Sequence, residues 1–303
     1  MATSPTIFLS NKLRLSRIVH GHWRLAQWEL RGSQLLSMLS RLIDWGVTSF
    51  DHADIYGNHS CEKIFGDALA LSPSLREKMQ IITKCGIKLN TDKFPDRKVK
   101  IYDYSKSHII ASAEQSLKNF RTDRLDLLLL HRPAPFFDPH EVAEAFTSLK
   151  KQGKVLHFGV SNFTAGQINM LQSYMGDKLV TNQVEISPLC LDEFENGNMD
   201  LYLKERMSPM AWSPLAGGRI FKPRDKRDEN VLAVIREIAS ELDVLTHEVI
   251  VYTWLLKHPS NIIPVVGSGK PDRIRSAVDA LSVDMSLEQW YRIYIAAKGA
   301  ELP

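Results

Sequence analysis

Short runs of leucine and β-branched residues alternate with amphipathic stretches along most of the chain. Leu35, Leu36, Leu39, Leu42 and Ile43 recur at helical spacing, and Gly46 ends that helix. Val47-Thr48-Ser49-Phe50 then reads as a strand, followed by a helix from about Glu62 to Leu71. Met79-Gln80-Ile81-Ile82-Thr83 is the next strand, and Ser105 is placed to cap a helix bearing Ile109, Ile110, Ala113, Leu117 and Phe120. Leu125 to Leu130 is almost wholly apolar, which marks a strand buried on both faces. Val142, Ala145, Phe146 and Leu149 give a helix stopped at Gly153. His157 to Val160, Leu179 to Val184, Pro209 to Trp212 and Ile262 to Val266 read as later strands. Helices carry Val231, Val234, Ile235 and Ile238, then Val249, Ile250, Thr253 and Leu256, then Arg273 to Leu281.

With the run that ends at Gly21 taken as the first strand, the chain holds eight strand–helix repeats. The pattern predicts an α/β fold, a (β/α)8 TIM barrel forming a single domain over residues 1–303. A short hairpin from Thr6 to Leu15, turning at Ser10-Asn11-Lys12, precedes it, and a short helix with Trp290, Ile293 and Ile295 follows. A doubly wound sheet is the competing architecture. Binding a dinucleotide there would call for a G-x-G-x-x-G turn after the first strand, and the first strand instead ends Gly21-His22-Trp23.

Composition adds exclusions. The chain is 44% hydrophobic and 24% charged, ordinary for a globular protein, and its net charge of +3 is spread out. Nothing resembles a nucleic-acid-binding stripe, so no nucleic-acid partner is expected. The N-terminus lacks an apolar secretory segment and no apolar run is long enough to span a bilayer, so no membrane partner and a cytoplasmic location are expected. Cys61, Cys85 and Cys190 have neither metal-ligand nor disulfide-framework spacing and read as reduced thiols, with no metal site. The pattern leaves the oligomeric state open.

Active sites of such barrels lie at the C-terminal strand ends. The second strand ends Asp51-His52-Ala53-Asp54-Ile55-Tyr56-Gly57, the third at Lys84 and the fourth at His131. Three neighbouring strands thus bring a carboxylate, a phenol, an ammonium and an imidazole to one rim. A phenol has an ordinary pKa of about 10, and a nearby ammonium lowers it. Tyr56 reads as the general acid, Lys84 as its tuner, Asp51 as the anchor of Lys84, and His131 as the group that orients a carbonyl. Taken singly, each has a plainer reading: a structural ion pair, an aromatic near a loop, the end of a strand. A barrel hydrolase would want a metal cluster or two catalytic carboxylates, and neither stands out.

The run Phe50 to Gly57 resembles the aldo-keto reductase signature. Ile82-Thr83-Lys84, Leu129-Leu130-His131-Arg132-Pro133 and Gly159-Val160-Ser161-Asn162-Phe163 are similar to that family's later motifs, in the same order. The resemblance implies a carbonyl reductase with NADPH/NADP as cofactor and a small-molecule carbonyl substrate. Asp51, Tyr56, Lys84 and His131 would be its catalytic tetrad. Gly21 and Trp23 would border the cofactor. Ser161, Asn162 and Gln183 would hold the nicotinamide carboxamide, and Trp212 would stack on its ring. Ser213, Leu215, Gly217 and Arg219 would line the pyrophosphate, with Arg219 as charge partner. Gly267, Ser268, Lys270 and Arg273, where a helix begins, would take a 2′-phosphate. His52 and Asp54 are more polar than many relatives show and read as solvated loop residues, with contact to the substrate pocket as the weaker alternative. Ser276 and Ala277 depart from the family pattern at the adenine end. The segment Ile87 to Tyr104 reads equally as pocket wall or surface loop. The mixed-charge run Lys222 to Glu229 reads as a solvated loop, with a weaker alternative as a cover over the cofactor. The competing function is a nicotinamide-binding regulatory module with little turnover, which would not need Tyr56 and Lys84 paired.

Overall fold

The computed structural model describes residues 3–303. Eight parallel strands close into a barrel in chain order: β1 (Val19–Gly21), β2 (Ser49–Asp51), β3 (Gln80–Cys85), β4 (Leu125–Leu130), β5 (Val155–Ser161), β6 (Asn182–Glu185), β7 (Met210–Trp212) and β8 (Ile263–Val266). Closure is between β8 and β1, with Val265 beside Val19 and Val266 beside His20.

Strand alternation sorts the apolar residues into two cores. In β4, Leu127 and Leu129 face the barrel interior, where they join Val19, Ile82, Met210, Ile263 and Val265. Leu128 and Leu130 face outward and pack with the helices. Both faces are buried, as the near-continuous leucine run predicts. The N-terminal hairpin pairs Thr6–Ser10 with Leu13–Ser16, and its Leu13 and Leu15 belong to the interior core. The hairpin therefore plugs the N-terminal end of the barrel and leaves access from the C-terminal rim.

Most helices form where the apolar periodicity placed them; Ala165–Gln172 and Asn198–Glu205 are helices it did not mark. The first spans Gly32–Asp44 and the next Cys61–Leu69. Ser105 caps Lys106–Phe120 by accepting from the His108 N–H, and Asp138 caps Pro139–Lys151 from the His140 N–H. Reciprocal capping boxes start Ala165–Gln172 and Leu287–Lys298. Helices 61–69 and 106–120 touch through Gly66, where a Cβ would fall 2.0 Å from the Asn119 carbonyl oxygen. No described helix is long and apolar enough to cross a membrane.

Several expectations need correction. Residues 222–229 are not a simple loop: Asp225 caps a helix that begins at Lys226 and runs to Glu241. The segment after β3 is partly ordered by pairing of Ile87–Lys88 with Ile101–Tyr102, and a Lys88–Asp103 ion pair of 2.9 Å sits beside that pairing. His52 is not solvated. It is fully buried, stacked 4.3 Å from His22 in a pocket of Phe65 and Phe120. Asp54 is only partly exposed, and its Oδ1 is enclosed.

Candidate active site

Asp51 ends β2 and Lys84 lies one residue from the end of β3. Both point inward, and both are almost wholly buried. The Lys84 Nζ donates to Asp51 Oδ1 and Oδ2 at 2.7 and 2.8 Å and to the His52 carbonyl at 2.7 Å. It also reaches the Tyr56 hydroxyl at 3.3 Å. Burial alone would lower the basicity of Lys84, but Asp51 and Tyr56 outweigh it and hold the ammonium above its ordinary range.

An ammonium has only protons to offer. The Tyr56 oxygen must therefore accept from Lys84, which leaves the phenolic proton free to be given elsewhere. Burial pushes the Tyr56 phenol above its ordinary value, while Lys84 pulls in the opposite direction. The lowering expected from the ammonium is present, but desolvation outweighs it. Tyr56 sits just before three left-handed residues, Gly57, Asn58 and His59. That turn is braced from the segment after β3: Thr91 Oγ1 donates to Asn58 Oδ1 at 3.1 Å, and Lys93 Nζ to the Asn58 carbonyl at 3.3 Å.

His131 follows β4, and its ring meets Tyr56 edge-on with centroids 5.8 Å apart. Burial lowers its pKa well below 6.5, and Lys84, Arg132 and Lys100 lower it further. The imidazole is neutral, so one ring nitrogen donates and the other accepts. Its Nδ1 is buried without a partner among the described residues.

A hydrogen-bond chain joins this group to the next strands. Gln183 Nε2 donates to Asp51 Oδ1 at 2.8 Å, and Ser161 Oγ donates to the Gln183 carbonyl at 2.7 Å. Asn162, in the left-handed region, donates from Nδ2 to Ser161 Oγ and to the His131 carbonyl, and accepts from Trp212 Nε1 at 3.0 Å. Every residue predicted for catalysis and for the carboxamide thus belongs to one network, and Trp212 ends it.

Further out the outcomes differ. Ser213, Ala216, Gly217 and Gly218 all have positive φ, so the segment after β7 is sharply bent. Arg219 is not a free cation. It makes two bonds to the buried carboxylate of Asp228, at 2.6 and 2.8 Å, and one to Asp225 at 3.0 Å, fastening the segment to the helix that follows. Lys270 and Arg273 flank the start of helix Pro271–Asp279, are exposed, and make no ion pair among the described residues. Trp23 is 64% exposed at the rim.

Sequence reasoning missed what holds the loop after β8. His20 Nε2 meets the Ser268 carbonyl at 2.9 Å, Arg24 donates to the Gly267 carbonyl at 3.2 Å, and the Trp28 ring fills the space over Gly269. These partners lie more than two hundred positions away along the chain and leave no local signal. Cys85 is buried, which pushes its thiol well above the ordinary value and makes it unreactive.

The model for the Aldo/keto reductase family matches residues 17–298, and the chain belongs to that family. Oxidoreductase YdhF of Escherichia coli is 48% identical over 95% of this chain and 95% of its own. A 6-dehydroglucose reductase of Agrobacterium fabrum is 41% identical over 98% of this chain and 99% of its own. The crystal structure of the thermostable aldo-keto reductase Tm1743, with the inhibitor epalrestat, superposes with a TM-score of 0.80 over 96% of this chain and 99% of that one. At 22% identity it bears on the fold.

Lys84→Met would strand the Asp51 carboxylate in the interior, and a stability loss of about 3–5 kcal/mol is expected. The double variant Asp51→Asn/Lys84→Met removes both charges and should recover much of that loss. Urea unfolding of the three proteins checks it; a double variant less stable than Lys84→Met would refute the electrostatic account.

Proposed function

We propose that this oxidoreductase reduces aldehydes or ketones to alcohols with NADPH, Tyr56 giving the proton to the carbonyl oxygen. The observation that carries the reading is the Tyr56 oxygen accepting from a buried, carboxylate-anchored Lys84 ammonium. As the proton leaves Tyr56, negative charge develops on the phenolic oxygen, and Lys84 is already beside it. Asp51 keeps that ammonium charged and fixed. Neutral His131 offers a hydrogen bond to the same carbonyl oxygen and, being uncharged, does not compete as an acid. The name of the Agrobacterium relative, 6-dehydroglucose reductase, supports a carbonyl substrate.

The residues around the rim suit a nicotinamide dinucleotide. Trp212 presents a half-buried aromatic face, and Asn162, Ser161 and Gln183 offer amide and hydroxyl groups beside it. Gly21 and Trp23 border this region, with Ser213, Leu215 and Gly217 lining the bent segment after β7. Arg219 serves there as its anchor. Gly267, Ser268, Lys270 and Arg273 join a helix N-terminus to two cations without an ion-pair partner among the described residues, a setting that favours a 2′-phosphate. When bound, the nicotinamide supplies the hydride. Buried reduced Cys61 and Cys85 suit the cytoplasm.

Tyr56→Phe is expected to lose carbonyl reduction by at least about a hundredfold while keeping its affinity for NADPH. Absorbance assays and titration of tryptophan fluorescence measure the two; unchanged turnover would remove Tyr56 from the role of acid. Lys270→Met and Arg273→Met should weaken NADPH more than NADH in the same titration, and equal weakening would speak against the 2′-phosphate site. The pH profile follows from the direction of the shifts. The folded Tyr56 pKa lies above 10.0, so the proton-bearing form is complete at neutral pH and is lost only as pH rises through that value. His131 is already neutral above 6.5. The rate of reduction at saturating substrate should stay level from neutral to about pH 9. An inflection near neutrality would contradict both assignments.

A further inference from the structure

Outside the barrel wall lies a second group of polar side chains. Along β3 the Lys84 side chain points into the barrel, so that of Thr83 points out, where its hydroxyl donates to Glu62 Oε1 at 2.7 Å. Glu62 also accepts from Ser116 and Asn119, at 2.8 and 2.9 Å, so both of its oxygens are engaged. Helices 61–69 and 106–120 touch close by, at Gly66 and Asn119. A crevice of about 590 Å³ opens between these helices and the segment after β3, with Glu62 and Asn119 in its wall. Neither Trp212 nor His131 lines it, so it is separate from the barrel mouth.

Asp54 also lines the crevice, and its enclosed Oδ1 has no partner among the described residues. Burial and Glu62 hold its carboxyl well above the ordinary range, the response of an acid with no cation in contact. His59 Nε2, in the same lining, is likewise enclosed and unpartnered. Burial, Lys93 and Arg97 lower the pKa of that ring to about 4, so it is neutral and able to accept. The cations of the crevice fall into two kinds. Lys63 is paired with Asp67 and Lys88 with Asp103. Lys93 and Arg97 bond only main-chain carbonyls, of Asn58 at 3.3 Å and Leu89 at 3.0 Å, which leaves their charges uncompensated. Phe94 joins the two kinds of group: its ring meets His59 edge-on at 5.1 Å and carries the Arg97 guanidinium 3.8 Å from its centre.

What would satisfy this set follows from its chemistry. Hydrocarbon would strip water from the charges and return nothing. A simple anion would suit Lys93 and Arg97 but meet Asp54, and a simple amine would meet the reverse conflict. An ammonium has protons for both a carboxylate and a neutral imidazole, and a guanidinium beside an ammonium suits an oxyanion. We propose that the crevice binds a small zwitterion, its ammonium held by Asp54 and His59 and its phosphate or carboxylate by Lys93 and Arg97. The site stands apart from the reductase reading. Tyr56 falls between Asp54 and His59 along the chain, and Lys93 also braces the turn after it, so an occupant shares its holders with that turn.

Isothermal titration of the full chain with phosphorylethanolamine, β-alanine, inorganic phosphate and ethanolamine tests the site. A zwitterion should bind at least about tenfold more tightly than phosphate or ethanolamine alone, and the tighter of the two names the outer group. Asp54→Asn should weaken that binding about tenfold, and so should Lys93→Met and Arg97→Met, whose side chains lie nearer solvent and keep the test open if the first variant fails to fold. Phosphate binding as tightly as either zwitterion would overturn the paired chemistry in favour of a simple anion. No binding of either zwitterion at about 10 mM would overturn the site itself. Binding unchanged in all three variants, or lost in Lys270→Met instead, would put the zwitterion elsewhere and overturn the assignment.

Discussion

The buried ion pair between Asp51 and Lys84 is the constraint around which the rest of the site is arranged. Taking two charges out of water is costly, and the cost is offset only when geometry is good and the remaining hydrogen bonds are made. Here the ammonium has two carboxylate oxygens, a backbone carbonyl and a phenol around it, and the carboxylate also accepts from Gln183. An apolar pair of similar volume would fill this position with less electrostatic penalty. That the chain keeps charges there makes sense if the charge itself is used, and beyond Asp51 and the His52 carbonyl the group beside it among the described residues is the Tyr56 hydroxyl. The plainer view of Asp51 and Lys84 as a structural ion pair accounts for their contact but not for the phenol that shares the ammonium.

From that pair the constraint spreads through strand register. Gln183 stands beside Ser161, and Glu185 beside Trp212, because β5, β6 and β7 are aligned in parallel. The hydrogen bonds from Asp51 through Gln183, Ser161 and Asn162 to Trp212 therefore cross four strands and the loops that leave them. A slip of one residue in any of these strands would turn its polar side chains toward the helices. The leucine-lined interior below, closed by the N-terminal hairpin, opposes such a slip where a strand also contributes to it, as in β7, whose Met210 would have to leave that core. Packing at one end of the barrel thus preserves polar geometry at the other.

This division explains what could be read along the chain. The barrel was legible because β4 and the amphipathic helices carry their own periodicity, and the gathering of Asp51, Tyr56, Lys84 and His131 because each sits at or just beyond a strand end. The exceptions share a cause. His52 looked solvated since nothing near it in sequence reveals its stacking on His22 or its Phe65 and Phe120 walls. Arg219 looked like a free cation because Asp228 becomes its partner only once the bent segment and the next helix are placed. The clamp on the loop after β8 depends on His20, Arg24 and Trp28, from the other end of the chain. Tyr56 had the right neighbour but the wrong net shift, since burial is a property of the assembled fold and not of spacing.

The outer rim follows a different rule from the floor. On the floor, Asp51, Lys84, Gln183, Ser161 and Asn162 answer one another within the protein, while buried ring nitrogens without a partner among the described residues occur at His131, whose ring meets that of Tyr56, and in the aromatic pocket of His22 and His52. At the mouth, charges are held in place by main-chain contacts and left without ion-pair partners among the described residues, as at Arg132, or stand at a helix start, as at Lys270. Such a gradient from satisfied to unsatisfied groups is what separates conserving a geometry from recognising a ligand. A group already paired has little to gain from a newcomer, whereas an ordered but unpaired one gains a bond at small entropic cost. The same fold can therefore keep one buried polar centre and change what it accepts by altering a few side chains on loops that the barrel holds still.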